Sequence, residues 1–154
     1  MPTKMGGMRV DSFFLANYAE QRGGLANILG AFPEWWTVPN VPCRMAVGFV
    51  LVQDLDEAEL ESAYSIHLYI RPDTTPPPDD STPLGIVETL PRRTSPIWQG
   101  APTRNLIAHR FPVEFAQHGL HRVTARIWEQ GSEAEPTTVG VNLFVKPGPP
   151  QVST

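Results

Sequence analysis

Residues 119–129 read GLHRVTARIWE and residues 137–146 read TTVGVNLFVK. Leu120, Val123, Ala125 and Ile127 in the first, and Val139, Val141, Leu143 and Val145 in the second, alternate with polar or small neighbours. A period of two belongs to an extended strand, whose successive side chains point to opposite faces. Each segment therefore reads as a strand with one apolar face. Residues 105–115, NLIAHRFPVEF, give a third strand signal, and the joints AQHG and QGSEAEP are short and polar, which predicts three consecutive antiparallel strands.

The same pattern continues toward the N-terminus. In residues 64–71, Tyr64, Ile66, Leu68 and Ile70 share one face and Ser65, His67, Tyr69 and Arg71 the other. Residues 43–52, CRMAVGFVLV, are apolar almost throughout and predict a strand buried for much of its length, with Gly48 marking a bulge or a close backbone approach. LGIVETL, residues 84–90, is a further strand. RVDSFFLANYAE, residues 9–20, could run as strand or as a short helix over 11–21. The turn signal QRGG and the apolar LANILGAF that follow favour a β-hairpin.

Between these segments lie connections. PEWWTVPNVP, residues 33–42, holds three prolines and two adjacent tryptophans and is expected to cross an end of the fold. DLDEAELE, residues 54–61, carries five carboxylates among good helix formers, so one short helix is expected here at most. Residues 72–83 and 91–104 are proline-rich loops, the second with Trp98. The 17 prolines among 154 residues are about twice the usual share, which argues for many short elements and against long helices. The sum is an all-β antiparallel sandwich of about eight strands. A closed barrel is permitted by the same periodicity.

Composition sets limits of its own. With 41% hydrophobic and 18% charged residues the chain can build one core, so residues 9–146 are expected to form a single domain between a flexible N-terminus (1–8) and a disordered tail (147–154). Net charge is −4, and the arginines are scattered along the chain, so no nucleic-acid partner is expected. No apolar run is long enough to span a membrane as a helix, and no signal peptide opens the chain. Cys43 is the only cysteine; with no internal disulfide possible, a cytoplasmic location is expected.

No catalytic motif stands out. His67, His109, His118 and His121 are not at metal-ligand spacings, and the last two flank a turn where an imidazole sits comfortably in water. Cys43 lies in a strand, where a thiol is ordinarily an inert core residue. The acidic run lacks the aspartate and glycine frame of a calcium loop, and glycine-rich phosphate loops are absent, so no cofactor or metal is expected. An enzyme of unrecognised type would have to use Asp11, His67 or His109. The remaining signal is aromatic: Trp35, Trp36 and Trp98 in expected loops, as contact residues for a protein or a sugar, or as plugs of the sandwich end. Trp128 is out of phase with Val123 and Ile127 and is expected on the other face.

Two stretches together, RVDSFFLANYAE…GGLANILGAF and FPVEFAQHGLHRVTARIWEQGSEAEPTTVGVNLFV, resemble a family of uncharacterised small bacterial proteins. In that family a D-x-F-F-L-A-D-x-A-E hairpin precedes an immunoglobulin-like end. The resemblance implies an immunoglobulin-like β-sandwich from a bacterial cytoplasm and brings no catalytic residues. Asn17 stands where the family pattern commonly has an acidic residue. The expected function is a non-catalytic binding or assembly module with a protein partner or self-association. The alternatives are a small-ligand or carbohydrate-binding sandwich and an unrecognised enzyme.

Overall fold

The computed structural model describes residues 8–22, 25–31, 35–56, 62–73, 82–91 and 103–148. These form nine strands and no helix: β1 (Arg9–Arg22), β2 (Leu25–Ala31), β3 (Trp35–Thr37), β4 (Cys43–Leu55), β5 (Tyr64–Pro72), β6 (Gly85–Thr89), β7 (Thr103–Phe115), β8 (Gly119–Glu129) and β9 (Thr137–Lys146). A four-stranded sheet in the order β2-β1-β4-β7 packs on a five-stranded sheet in the order β3-β9-β8-β5-β6. Pairing is antiparallel except between β3 and β9, which run parallel. In chain order, β1, β4 and β7 take the places of strands A, B and E of an immunoglobulin-like sandwich, and β5, β6, β8 and β9 those of C, C′, F and G.

Three expectations are corrected. The Trp35–Trp36 segment is not only a connection but a ninth strand: its prolines flank Trp35–Thr37 rather than interrupt it, and Val38 N–H extends the pairing by donating to Lys146 C=O at 2.8 Å. Second, β7 and β8 are not hairpin partners. β7 pairs with β4 and β8 with β5 and β9, so the joint before Gly119 crosses from one sheet to the other. Alternation fixes which face a residue occupies and leaves the neighbouring strand open. Third, Asp54 and Leu55 complete β4 rather than beginning a helix; residues 57–61 of that acidic stretch lie outside the described residues.

The core lies between the sheets. Tyr64, Ile66 and Leu68 of β5, Val123, Ala125 and Ile127 of β8, and Leu143 and Val145 of β9 meet Val47, Phe49 and Leu51 of β4 and Ile107, Val113 and Phe115 of β7. Each such side chain contributes about 1.5–3 kcal/mol by leaving water. Gln53, fully buried, accepts from Asn105 Nδ2 at 2.8 Å, and the same amide donates to Thr89 Oγ1 at 3.2 Å, so a polar link ties the sheets near β6. His121 does not face water. It is buried edge-on to Phe115 with Nδ1 at 3.0 Å from Gly119 C=O. His118 Nε2 lies 2.6 Å from Val38 C=O; since a carbonyl only accepts, this nitrogen is the donor.

β1 serves two neighbours. From Arg9 to Ala16, with a bulge between Val10 and Ser12, it pairs with β4, ending at Ala16 opposite Gly48, and from Ala16 to Arg22 it pairs with β2. Beyond Ala16 the β1–β2 hairpin crosses the outer face of its own sheet. A Cβ on Gly48 would lie 2.9 Å from Ala16 O, Ala19 N and Ala19 Cβ, so Gly48 is the close approach its sequence context predicts. Gln21 Oε1 then accepts from Ala108 N–H of β7, and the Arg110 guanidinium lies over the Tyr18 ring. Ala16, Ala19, Val50 and Ala108 are buried beneath this arm as a second, smaller cluster. That explains why β4 is buried on both faces from Val47 to Leu51.

Candidate functional site

The outer face of the five-stranded sheet has no such cover among the described residues. Strand parity places on it Trp35 and Thr37 of β3, Phe144 and Lys146 of β9, Leu120, Arg122, Arg126 and Trp128 of β8, His67, Tyr69 and Arg71 of β5, and Ile86 of β6. The register sets Trp35 beside Phe144 and Phe144 beside Leu120. These three are 52%, 42% and 40% exposed, an apolar row at one corner. Leu120 was counted with the core set, but it is an odd number of residues from Val123 and so faces outward.

Next to this row the face turns cationic. Arg71 stands opposite Arg122, and His67 opposite Arg126. Like charges directly opposite each other are destabilising, and here each cation is drawn aside by a neutral group. Arg122 donates to Asn142 Oδ1 at 3.1 Å and lies over Gly140, where a Cβ would come 2.8 Å from its Nη2. Lys146 Nζ is 4.5 Å from the centre of the Trp35 ring, the Arg71 guanidinium 5.3 Å from that of Tyr69, and Arg126 6.0 Å from that of Trp128. Such cation–π contacts are worth about 0.5–1 kcal/mol at exposed sites. Among the described residues Arg122, Arg126 and Lys146 meet no carboxylate. The strands of this sheet carry two acids, Glu88 in β6 and Glu129 at the end of β8, where it accepts from Ser62 Oγ at 2.7 Å; Asp73 lies just past the end of β5.

Three of the arginines that look scattered along the chain, Arg71, Arg122 and Arg126, are therefore brought together by folding on one surface, while Arg44, Arg104 and Arg110 lie in the other sheet. A protein of net charge −4 presents a locally basic, aromatic face. His67 packs on Trp128 with ring centres 4.5 Å apart, and its burial lowers its pKa from the ordinary 6.5.

Of the tryptophans singled out in the sequence, the structure separates the adjacent pair. Trp35 faces out, whereas Trp36 is buried against Phe115, ring centres 6.4 Å apart and nearly perpendicular. They do not form a common surface. Trp98 lies outside the described residues. Trp128 is on the outer face, as its phase requires. The residues missed in the sequence are Phe144, Leu120, Arg122, Arg126 and Lys146, and their signal was available: in β8 and β9 the positions alternating with the core set are not uniformly polar but carry leucine, arginine, tryptophan and phenylalanine.

The residues an enzyme would have needed are dispersed. Asp11 is the extra residue of a bulge between Val10 and Ser12, 3.6 Å from Arg104, which also pairs with Asp54 at 3.2 Å. His109 stacks on Phe111 in β7, and His67 is on the other sheet. Among the described residues no hydrogen bond joins any two of them, and no group of three or more histidine, cysteine, aspartate or glutamate side chains could hold a metal. No helix there is long and apolar enough to cross a membrane. A cleft of about 270 Å³ opens between the arm and β7, lined by Tyr18, Glu20, Gln21, His109 and Arg110. It is shallow and mixed in charge.

Fold and surface together define a β-sandwich, its strands ordered as in an immunoglobulin-like domain, with one face covered by its own hairpin and the other basic, aromatic and, among the described residues, uncovered. No family model and no curated protein matches the chain.

Proposed function

We propose that the protein is a non-catalytic binding module of a bacterial cytoplasm that engages a protein partner through the outer face of its five-stranded sheet. The observation that carries this is the exposed row Trp35, Phe144 and Leu120 set against Arg122 and Arg126. Aromatic side chains and arginine are the residues that dominate interface energetics, because they bury large area and hold several donors in fixed geometry. Two copies meeting symmetrically on this face would bring cations against cations, which favours a different partner over an isologous dimer. The single cysteine, together with the sequence resemblance, supports the compartment.

Site-specific photocrosslinking tests the reading. A photoreactive residue in place of Phe144 or Ile86 is expected to give a discrete adduct in a host lysate, and one in place of Leu29, which is 67% exposed on β2, is not. Adducts of equal yield at all three positions would overturn it.

A further inference from the structure

Resting on that reading, we infer that the occupant of this face is an extended protein segment carrying carboxylates two and six positions beyond an apolar residue, lying along β8.

Size supports a segment rather than a globular surface. Five strands at about 4.8 Å and the run from Leu120 to Trp128 at about 3.4 Å per residue give a backbone frame of about 19 by 27 Å, roughly 500 Å². A standard interface takes about 800 Å² from each partner. The long side matches about eight extended residues.

Chemistry sets the pattern within it. Leu120, Arg122 and Arg126 project from the same side of one strand, so their separations are those of alternate residues in an extended chain. An apolar side chain of the segment fills the corner made by Leu120, Phe144 and Trp35. A carboxylate two residues on reaches Arg122, held in place by Asn142, and another four residues further reaches Arg126. Guanidinium groups take carboxylates in bidentate geometry; Arg71 stands directly opposite Arg122, and Lys146 at the flank adds a point charge. Single-stranded nucleic acid, the other polyanion such a face could take, is less well matched. Among the described residues of this face only Trp35 and Phe144, side by side at one corner, expose rings on which bases could stack; the Tyr69 and Trp128 rings along the rest of the face are half-buried beside Arg71 and Arg126, and Leu120 and Ile86 offer aliphatic contacts.

The test is a nuclear magnetic resonance titration of the whole protein with an octapeptide bearing leucine first, glutamate third and seventh, and serine elsewhere. A peptide with lysine for glutamate and an oligothymidylate of the same length are titrated in parallel. The glutamate peptide is expected to shift amides of Leu120–Trp128 and Phe144, to bind at least tenfold more tightly than the lysine peptide, and to lose at least tenfold in the doubly substituted Arg122→Glu, Arg126→Glu protein. That variant's unchanged dispersion elsewhere shows that it is folded. Equal binding of the two peptides, shifts confined to other strands, or tighter binding of the oligothymidylate would overturn the inference. The crosslinking result at Phe144 stands apart from this outcome: an adduct there with no preference for the glutamate peptide keeps the binding face and rejects the acidic segment.

Discussion

The two outer faces of this sandwich meet the same physical problem in opposite ways. On the four-stranded sheet, alanines and Gly48 let the chain's own β1–β2 hairpin lie flat, and Val50 and Ala108 are buried beneath it. On the five-stranded sheet, bulky Trp35, Phe144 and Leu120 are exposed beside Arg122 and Lys146, which meet no carboxylate among the described residues. Small residues mark the face that the molecule covers by itself, and large aromatic and basic ones mark the face proposed above as a binding surface.

The sharpest way to break the comparison uses the adjacent tryptophans. Trp36→Ala is expected to cost about 3–5 kcal/mol in chemical denaturation, since it empties a site against Phe115, whereas Trp35→Ala, which loses its contact with Lys146, should cost no more than about 1 kcal/mol. Gly48→Val comes next. Its side chain would collide with the backbone of Ala16 and Ala19, and overpacking of this kind costs about 1–3 kcal/mol. The loss should be read out as faster hydrogen exchange in β2 with β5 and β8 still protected. Gln21→Ala removes one acceptor and should cost about 1 kcal/mol, with Ala108 N–H the amide whose protection falls most.

On the open face the expected effects on stability are small. Arg122→Glu should leave the urea midpoint within the equivalent of about 0.5 kcal/mol of the parent while weakening partner binding. His67 supplies the smallest effect and a sign. Because burial lowers its folded-state pKa, the unfolded chain takes up the proton first. Stability is therefore full above the ordinary value of 6.5 and declines as pH falls through the folded-state value. His67→Gln should flatten that part of the pH profile, measured as denaturation midpoints between about pH 7.5 and about pH 5.

How much of this was legible in the sequence follows from what a period of two encodes. It assigned the inward residues of β5, β8 and β9, apart from Leu120, and the composition of β4 announced burial on both sides. Gly48 was recognisable as a close approach, though not what approaches it. Alternation does not encode which strand lies beside which, so the crossing from β7 to β8 was read as a hairpin. Nor does linear spacing show convergence: Arg71 and Arg122 are 51 positions apart in the chain and directly opposite in the sheet. His121 looked like a turn residue because its partner, the Phe115 ring, comes from the preceding strand across the sheets.

The hydrogen bond from Ala108 to Gln21 has a further consequence for how the molecule behaves when crowded. β7 ends its sheet and is 13 residues long, the kind of edge on which a strand of another chain can add and start a fibril. The amides facing away from β4 recur at every second residue, in step with Ala108. Gln21 occupies the one at Ala108, and Pro112, two repeats on, has no N–H to offer. Between them only Arg110 presents an outward amide, so the ladder that an added strand could form along β7 is interrupted twice near its middle. A single glutamine reaching over from the hairpin thus helps to keep the sandwich from templating aggregates of itself.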